Sequence, residues 1–111
     1  MKKTAIILSV VLFTAGCAKV LMPSQADADR GASKFPGLTV AQLDEGRTLF
    51  KQKCTQCHPA KKAASRDEEQ WEKIVPQMAE KAKRKGKEEI SSADQETILK
   101  YLITMSTASK K

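Results

Sequence analysis

Apolar positions recur along this chain with a helical period. Trp71, Ile74, Val75 and Met78 fall at i, i+3, i+4 and i+7, one stripe of a helix. Ile98, Leu99, Leu102 and Ile103 repeat the pattern in "ADQETILKYLITM". Earlier, "VAQLDEGRTLFKQKC" places Leu43, Leu49 and Phe50 around Gly46 in a third helical stretch. No segment alternates with the period of two that a half-buried strand requires, and no internal repeat is present. The expected fold is all-α, a compact bundle of short helices.

Boundary residues sharpen this reading. Thr39 is a candidate N-cap for the first of these helices. Ser65 with Glu68, and Ser92 with Gln95, have capping-box spacing ahead of the second and third. Gly86 is a helix stop. Pro76 lacks an N–H and crowds the preceding turn, so a kink or a fresh helix start is expected there.

The first residues follow a different pattern. Met1-Lys2-Lys3 is basic, and the uncharged run from Thr4 to Ala18 has 15 residues. That is short of the ~20 needed to span a bilayer, and small residues close it. This is the order of a secretory signal peptide, so the protein is expected to leave the cytoplasm. "TAGC", ending at Cys17, resembles a bacterial lipobox, with Thr14 where that pattern usually has leucine. The resemblance implies cleavage before Cys17 and lipid attachment to it, giving a membrane-anchored, periplasm-facing protein. In a Gram-negative cell, Ala18 in the next position implies the outer membrane. Residues 18–37 contain Pro23, Gly31, Pro36 and Gly37, scattered charge and no apolar period, which reads as a flexible tether. As coil, its stretch from Ala18 to Phe35 would reach ~24 Å. The expected organisation is a signal peptide over 1–16, a tether over 17–37 and a domain over 38–111.

Charge narrows the partners. The formal net charge is +7, and loss of Lys2 and Lys3 with the signal leaves +5. Residues 81–87, "KAKRKGK", hold five Lys or Arg. An exported protein seldom meets nucleic acid, and Glu80, Glu88 and Glu89 dilute the run. The readings that remain are a solvated helix face, anionic lipid contact, and a surface for an acidic redox partner.

The chemistry concentrates in "KCTQCHP", which contains Cys54, Cys57 and His58, the single histidine of the chain. A closed zinc site needs four ligands, and these residues supply three. A thioredoxin-like pair expects a βαβ context that this pattern lacks. Attachment of haem c uses all three residues. Cys54 and Cys57 form thioethers to the vinyl groups, and His58 becomes the proximal iron ligand. With Cys17 assigned to lipid, the odd cysteine count is also resolved. A domain of about 70 residues rarely builds more than ~3–5 kcal/mol of stability without a staple, and a covalent apolar cofactor would be one.

"EGRTLFKQKCTQCHP" resembles the N-terminal helix and haem segment of class I cytochromes c, and "ADQETILKYL" resembles their C-terminal helix. The resemblance covers residues 38–105. It implies that Gly46 and Phe50 of the first helix pack against Tyr101 of the last. It also implies a monohaem electron carrier, not an enzyme, that exchanges single electrons with exported or membrane redox proteins. One histidine excludes bis-histidine ligation within the chain, so the distal position falls to Met, Lys, water or nothing. Of Met22, Met78 and Met105, the family position matches Met78, and the segment "WEKIVPQMAEK" resembles its Trp-to-Met spacing. Packing is the competing role for Met78. Trp71 is expected to wall the haem, with a propionate hydrogen bond as its alternative. His/Met ligation raises the reduction potential, which suits a carrier. The rival readings are a five-coordinate haem sensor or peroxidase-like protein, and a thiol–disulfide module.

Overall fold

The last helix is the piece that the others touch. The computed structural model describes residues 20–54 and 61–108. It contains α1 (Gln25–Gly31), α2 (Val40–Lys53), a 3-10 turn at Ala63–Ser65, α3 (Glu68–Arg84) and α4 (Ser92–Ala108). All regular structure among the described residues is helical. Helix α4 contacts α1, α2, α3 and the 3-10 turn. Ile98 and Leu102 are fully buried, and Tyr101 to Ser106 are buried without interruption. A stretch buried on every side is core, so over Tyr101 to Ser106 the four-residue stripe read from the sequence understates the role of this helix, whose first turns keep Ser92, Ala93 and Glu96 exposed.

Helix α2 starts as expected. Thr39 Oγ1 accepts from the Gln42 N–H at 3.1 Å, and Gln42 Oε1 accepts from the Thr39 N–H at 3.2 Å. Two other caps are corrected by a residue or two. The box that opens α3 is Asp67 with Gln70, because the Ser65 hydroxyl donates instead to the Lys62 carbonyl in the 3-10 turn. The box at α4 is Ser91 with Asp94: Ser91 Oγ accepts from the Asp94 N–H at 3.1 Å, and Asp94 returns the bond at 3.3 Å. Gln95 is turned to the Ile90 carbonyl.

Helix α3 runs through Pro76 as one element, so no fresh helix starts there. The missing hydrogen bond is the one to the Glu72 carbonyl, and both residues lie on the exposed face where water can take that carbonyl. At its end Gly86 adopts φ 64°, with bonds from the Gly86 N–H to Lys83 and from the Lys87 N–H to Ala82. This is a Schellman stop, which needs the left-handed backbone that glycine supplies.

The expected tether is corrected over residues 25–31, which form a helix docked on α4. Ser24 and Asp27 make a reciprocal capping box. Ala28 is fully buried, and a β-carbon on Gly31 would stand 2.6 Å from Leu38 and 2.7 Å from Thr104 Oγ1. Arg30 donates to the Thr104 carbonyl and to Thr107 Oγ1, both at 3.0 Å, and to Asp27 at 2.8 Å. Upstream, Val20 is buried in the main core and the Tyr101 hydroxyl donates to the Leu21 carbonyl at 2.8 Å. Small residues hold this helix by close approach, which leaves no apolar period for sequence reading to detect.

No helix among the described residues is long and apolar enough to cross a membrane.

Candidate functional site

Helix α2 ends at Cys54, whose N–H bonds the Phe50 carbonyl as the C-cap. Cys54 is buried against the core at 8% exposure. Around it the end of α2, the loop before α3, α3 itself and α4 enclose a cleft of about 230 Å³. Ligand pockets begin at about 300 Å³, somewhat above this size. Its apolar wall is Phe50, Trp71, Ile74, Val75 and Leu102. Cys54 and Met78 both line it, from different helices.

The stripe on α3 divides between two tasks. Trp71 and Val75, buried at 3% exposure, belong to the core cluster with Ala79 and Ala82 and also back the cleft. Ile74 and Met78 are half-buried and face the cleft. Met78 is therefore a cleft-lining side chain and is not sealed in the core. Met105 is the opposite case, at 2% exposure inside the main core cluster. Met22 is 69% exposed at the start of the described chain.

Trp71 is oriented by its indole N–H, which donates to the Ala63 carbonyl at 2.9 Å. That bond occupies the donor, so the ring serves as wall and core. Phe50 stands between the two other aromatics of the core. Its ring lies edge-on to Trp71 at 6.3 Å and tilted against Tyr101 at 6.2 Å. Such pairs contribute about 0.5–1.5 kcal/mol beyond area burial. A β-carbon on Gly46 would stand 2.7 Å from the Tyr101 β-carbon, so the Gly46, Phe50 and Tyr101 packing expected from the sequence is present.

Two basic side chains join the apolar lining, and sequence reading missed both. Lys61 and Arg66 line the cleft, and the Arg66 guanidinium sits 5.4 Å from the Trp71 ring centre. A cation over an indole face is attracted to it, which holds Arg66 near the cleft. Nothing in the local pattern marks these residues, because they lie in a connecting segment whose path only the fold sets. Lys53 ties the end of α2 to the start of α4. Its ammonium donates to the Glu89 carbonyl at 2.6 Å and to Asp94 at 2.8 Å. The bond from Lys53 holds the Asp94 carboxyl below its ordinary range.

Burial pushes the Cys54 thiol up to about 11. Little thiolate exists there at neutral pH, which is the reverse of what an exchange nucleophile requires. Cys57 and His58, like Cys17, lie outside the described residues. Among the described residues no cluster of three or more His, Cys, Asp and Glu forms a metal site.

The run at the end of α3 is exposed. Lys83, Arg84, Lys85 and Lys87 all face solvent, with Lys81 half-buried beside them.

No protein-family model, no curated protein and no solved structure matches this chain.

Proposed function

We propose that this protein is a lipid-anchored monohaem cytochrome c of the class I type, which carries single electrons between exported or membrane redox proteins. The observation that carries the reading is the meeting of Cys54 and Met78 on one apolar cleft, with the first cysteine of CxxCH at the end of α2. A flat apolar cofactor with an acidic edge fits these surroundings. Phe50, Trp71, Ile74 and Leu102 would pack its faces, and Lys61 and Arg66 would meet its carboxylates. Cys54 and Cys57 would hold haem c by thioethers, His58 would be the proximal ligand, and Met78 the distal one. Bound haem would supply a one-electron iron couple. On this reading the cleft's own groups would serve to hold, wall and tune the cofactor.

The basic run from Lys81 to Lys87, exposed from Lys83 onward, is the proposed docking surface for an acidic redox partner. Lipid on Cys17 would keep the protein at the periplasmic side of its membrane.

An absorption spectrum of the natively exported protein tests the central claim. A Soret band that resists acid–acetone extraction is expected, together with the weak long-wavelength band of a Met–iron bond in the oxidised form. A colourless protein with two titratable thiols would overturn the reading. Ready binding of carbon monoxide to the reduced protein would replace it with the five-coordinate sensor or peroxidase-like alternative.

A further inference from the structure

We propose that the edge formed by Leu21 and Met22 rests on the lipid bilayer, so that the folded domain is held against its membrane and does not swing from it. This rests on the lipidation of Cys17 proposed above.

Three observations carry it. First, Leu21 and Met22 are the exposed large hydrophobic side chains of the described chain, at 37% and 69%. Second, the polypeptide is already docked at this point. Val20 is buried at 8% exposure, and the Leu21 carbonyl is held by Tyr101. The cap at Ser24 and the Arg30 bonds to Thr104 and Thr107 then fasten α1 to α4. Third, Val20 to Ala26 includes no charged residue. The next acid, Asp27, is buried and paired with Arg30.

Chain length decides what the apolar edge meets. From Cys17 to Val20 is three residues, which span at most about 10 Å. The coil expected from the sequence alone would have reached ~24 Å. An interfacial segment buries its apolar side chains ~5–10 Å into the boundary between headgroups and acyl chains. An acylated Cys17 sits at that boundary, so Leu21 and Met22 lie within reach of the same depth. The bilayer is the apolar phase that covalent attachment places beside them.

Methionine oxidation reads this directly. The mature lipidated protein is placed in phosphatidylethanolamine–phosphatidylglycerol vesicles and treated with a water-soluble oxidant. Sulfoxides are then mapped by mass spectrometry, since oxidation follows exposure. A matched protein carries a Gly-Ser insertion of roughly 12 residues between Lys19 and Val20, long enough to free the domain. Met22 is expected to oxidise roughly fivefold or more slowly in the native protein than in the insertion variant, while buried Met105 stays slow in both. Equal Met22 rates overturn the proposal. Equal protection of Met22 in a soluble Cys17→Ser form assigns the edge to a second copy or a protein partner, and also overturns it. An intact mass without acyl chains removes its premise, while the Soret band reports separately on the haem reading.

Discussion

Gly46 and Tyr101 bring helices α2 and α4 into backbone contact. A β-carbon at Gly46 would stand 2.7 Å from that of Tyr101 and closer still to the Thr97 carbonyl. Glycine at that position sets how near the two helices approach, and so how Phe50 is seated between Tyr101 and Trp71 at the cleft. Alanine would improve helix propensity by up to ~1 kcal/mol. It would also drive a methyl group into backbone that cannot move aside, and overpacking of this kind costs about 1–3 kcal/mol. Gly46→Ala is expected to lower the urea midpoint at unchanged m-value, measured by circular dichroism.

Met78 and Met105 should separate cleanly. On the proposed haem ligation, the Met78→Leu protein is expected to lose the long-wavelength band, bind carbon monoxide in the reduced form and show a lower potential, with little loss of stability at this half-buried position. In Met105→Leu the spectrum is unchanged and the cost stays under ~1.5 kcal/mol. Met105→Ala costs about 2–5 kcal/mol because it opens a cavity in the core. Spectra and denaturation curves of the three variants check the assignment together.

Trp71→Phe keeps most of the wall but strands the Ala63 carbonyl, which is bonded to the indole at 2.9 Å. A loss of about 1–3 kcal/mol is expected if that carbonyl stays dry, with the Soret band retained. Unchanged stability with a shifted reduction potential would instead show that the indole N–H bonds a haem propionate.

Thr104 Oγ1 is buried against Gly31 with no hydrogen-bond partner among the described residues. Thr104→Val removes that polar atom at similar volume, so thermal unfolding is expected at an equal or higher temperature. A clear drop would mean that the hydroxyl has a partner in solution.

Acid should loosen α1. Burial raises the Asp27 carboxyl, but the hydrogen bonds from Arg30 and Ser24 outweigh it and hold the group below its ordinary 3.8. A lowered folded-state value stabilises the protein above the unfolded value, and that gain disappears as pH falls through the folded one. The contribution of Asp27 is therefore flat near neutrality and declines below about pH 4. Asp27→Asn should lose stability at pH 7 and show a shallower decline in acid, seen in urea midpoints across pH.

The cap positions show where local reading reached its limit. Thr39, Gly86 and the α3 stripe were legible because caps and apolar periods are local properties, carried by neighbours within one or two turns. Ser65 and Ser92 were displaced by Asp67 and Ser91, because several polar residues near each helix start compete for the same few N–H groups. Helix α1 was illegible. Seven residues with Ala28 and Gly31 as their interface form no apolar stripe, and that helix exists through its contacts with Leu38 and Thr104.

The same division runs through the site. The sequence by itself determined the chemistry on offer: two cysteines and a histidine in CxxCH spacing, a methionine on a helical stripe, and a basic run near Gly86. Only the tertiary structure decided that Cys54 and Met78 share a cleft, that Met105 is sealed away, that Arg66 lies over Trp71, and that the supposed tether is docked. The reason is physical. Residue type and spacing act along the chain, whereas burial and close approach depend on which helix faces cross, and here a single glycine at position 46 permits that crossing.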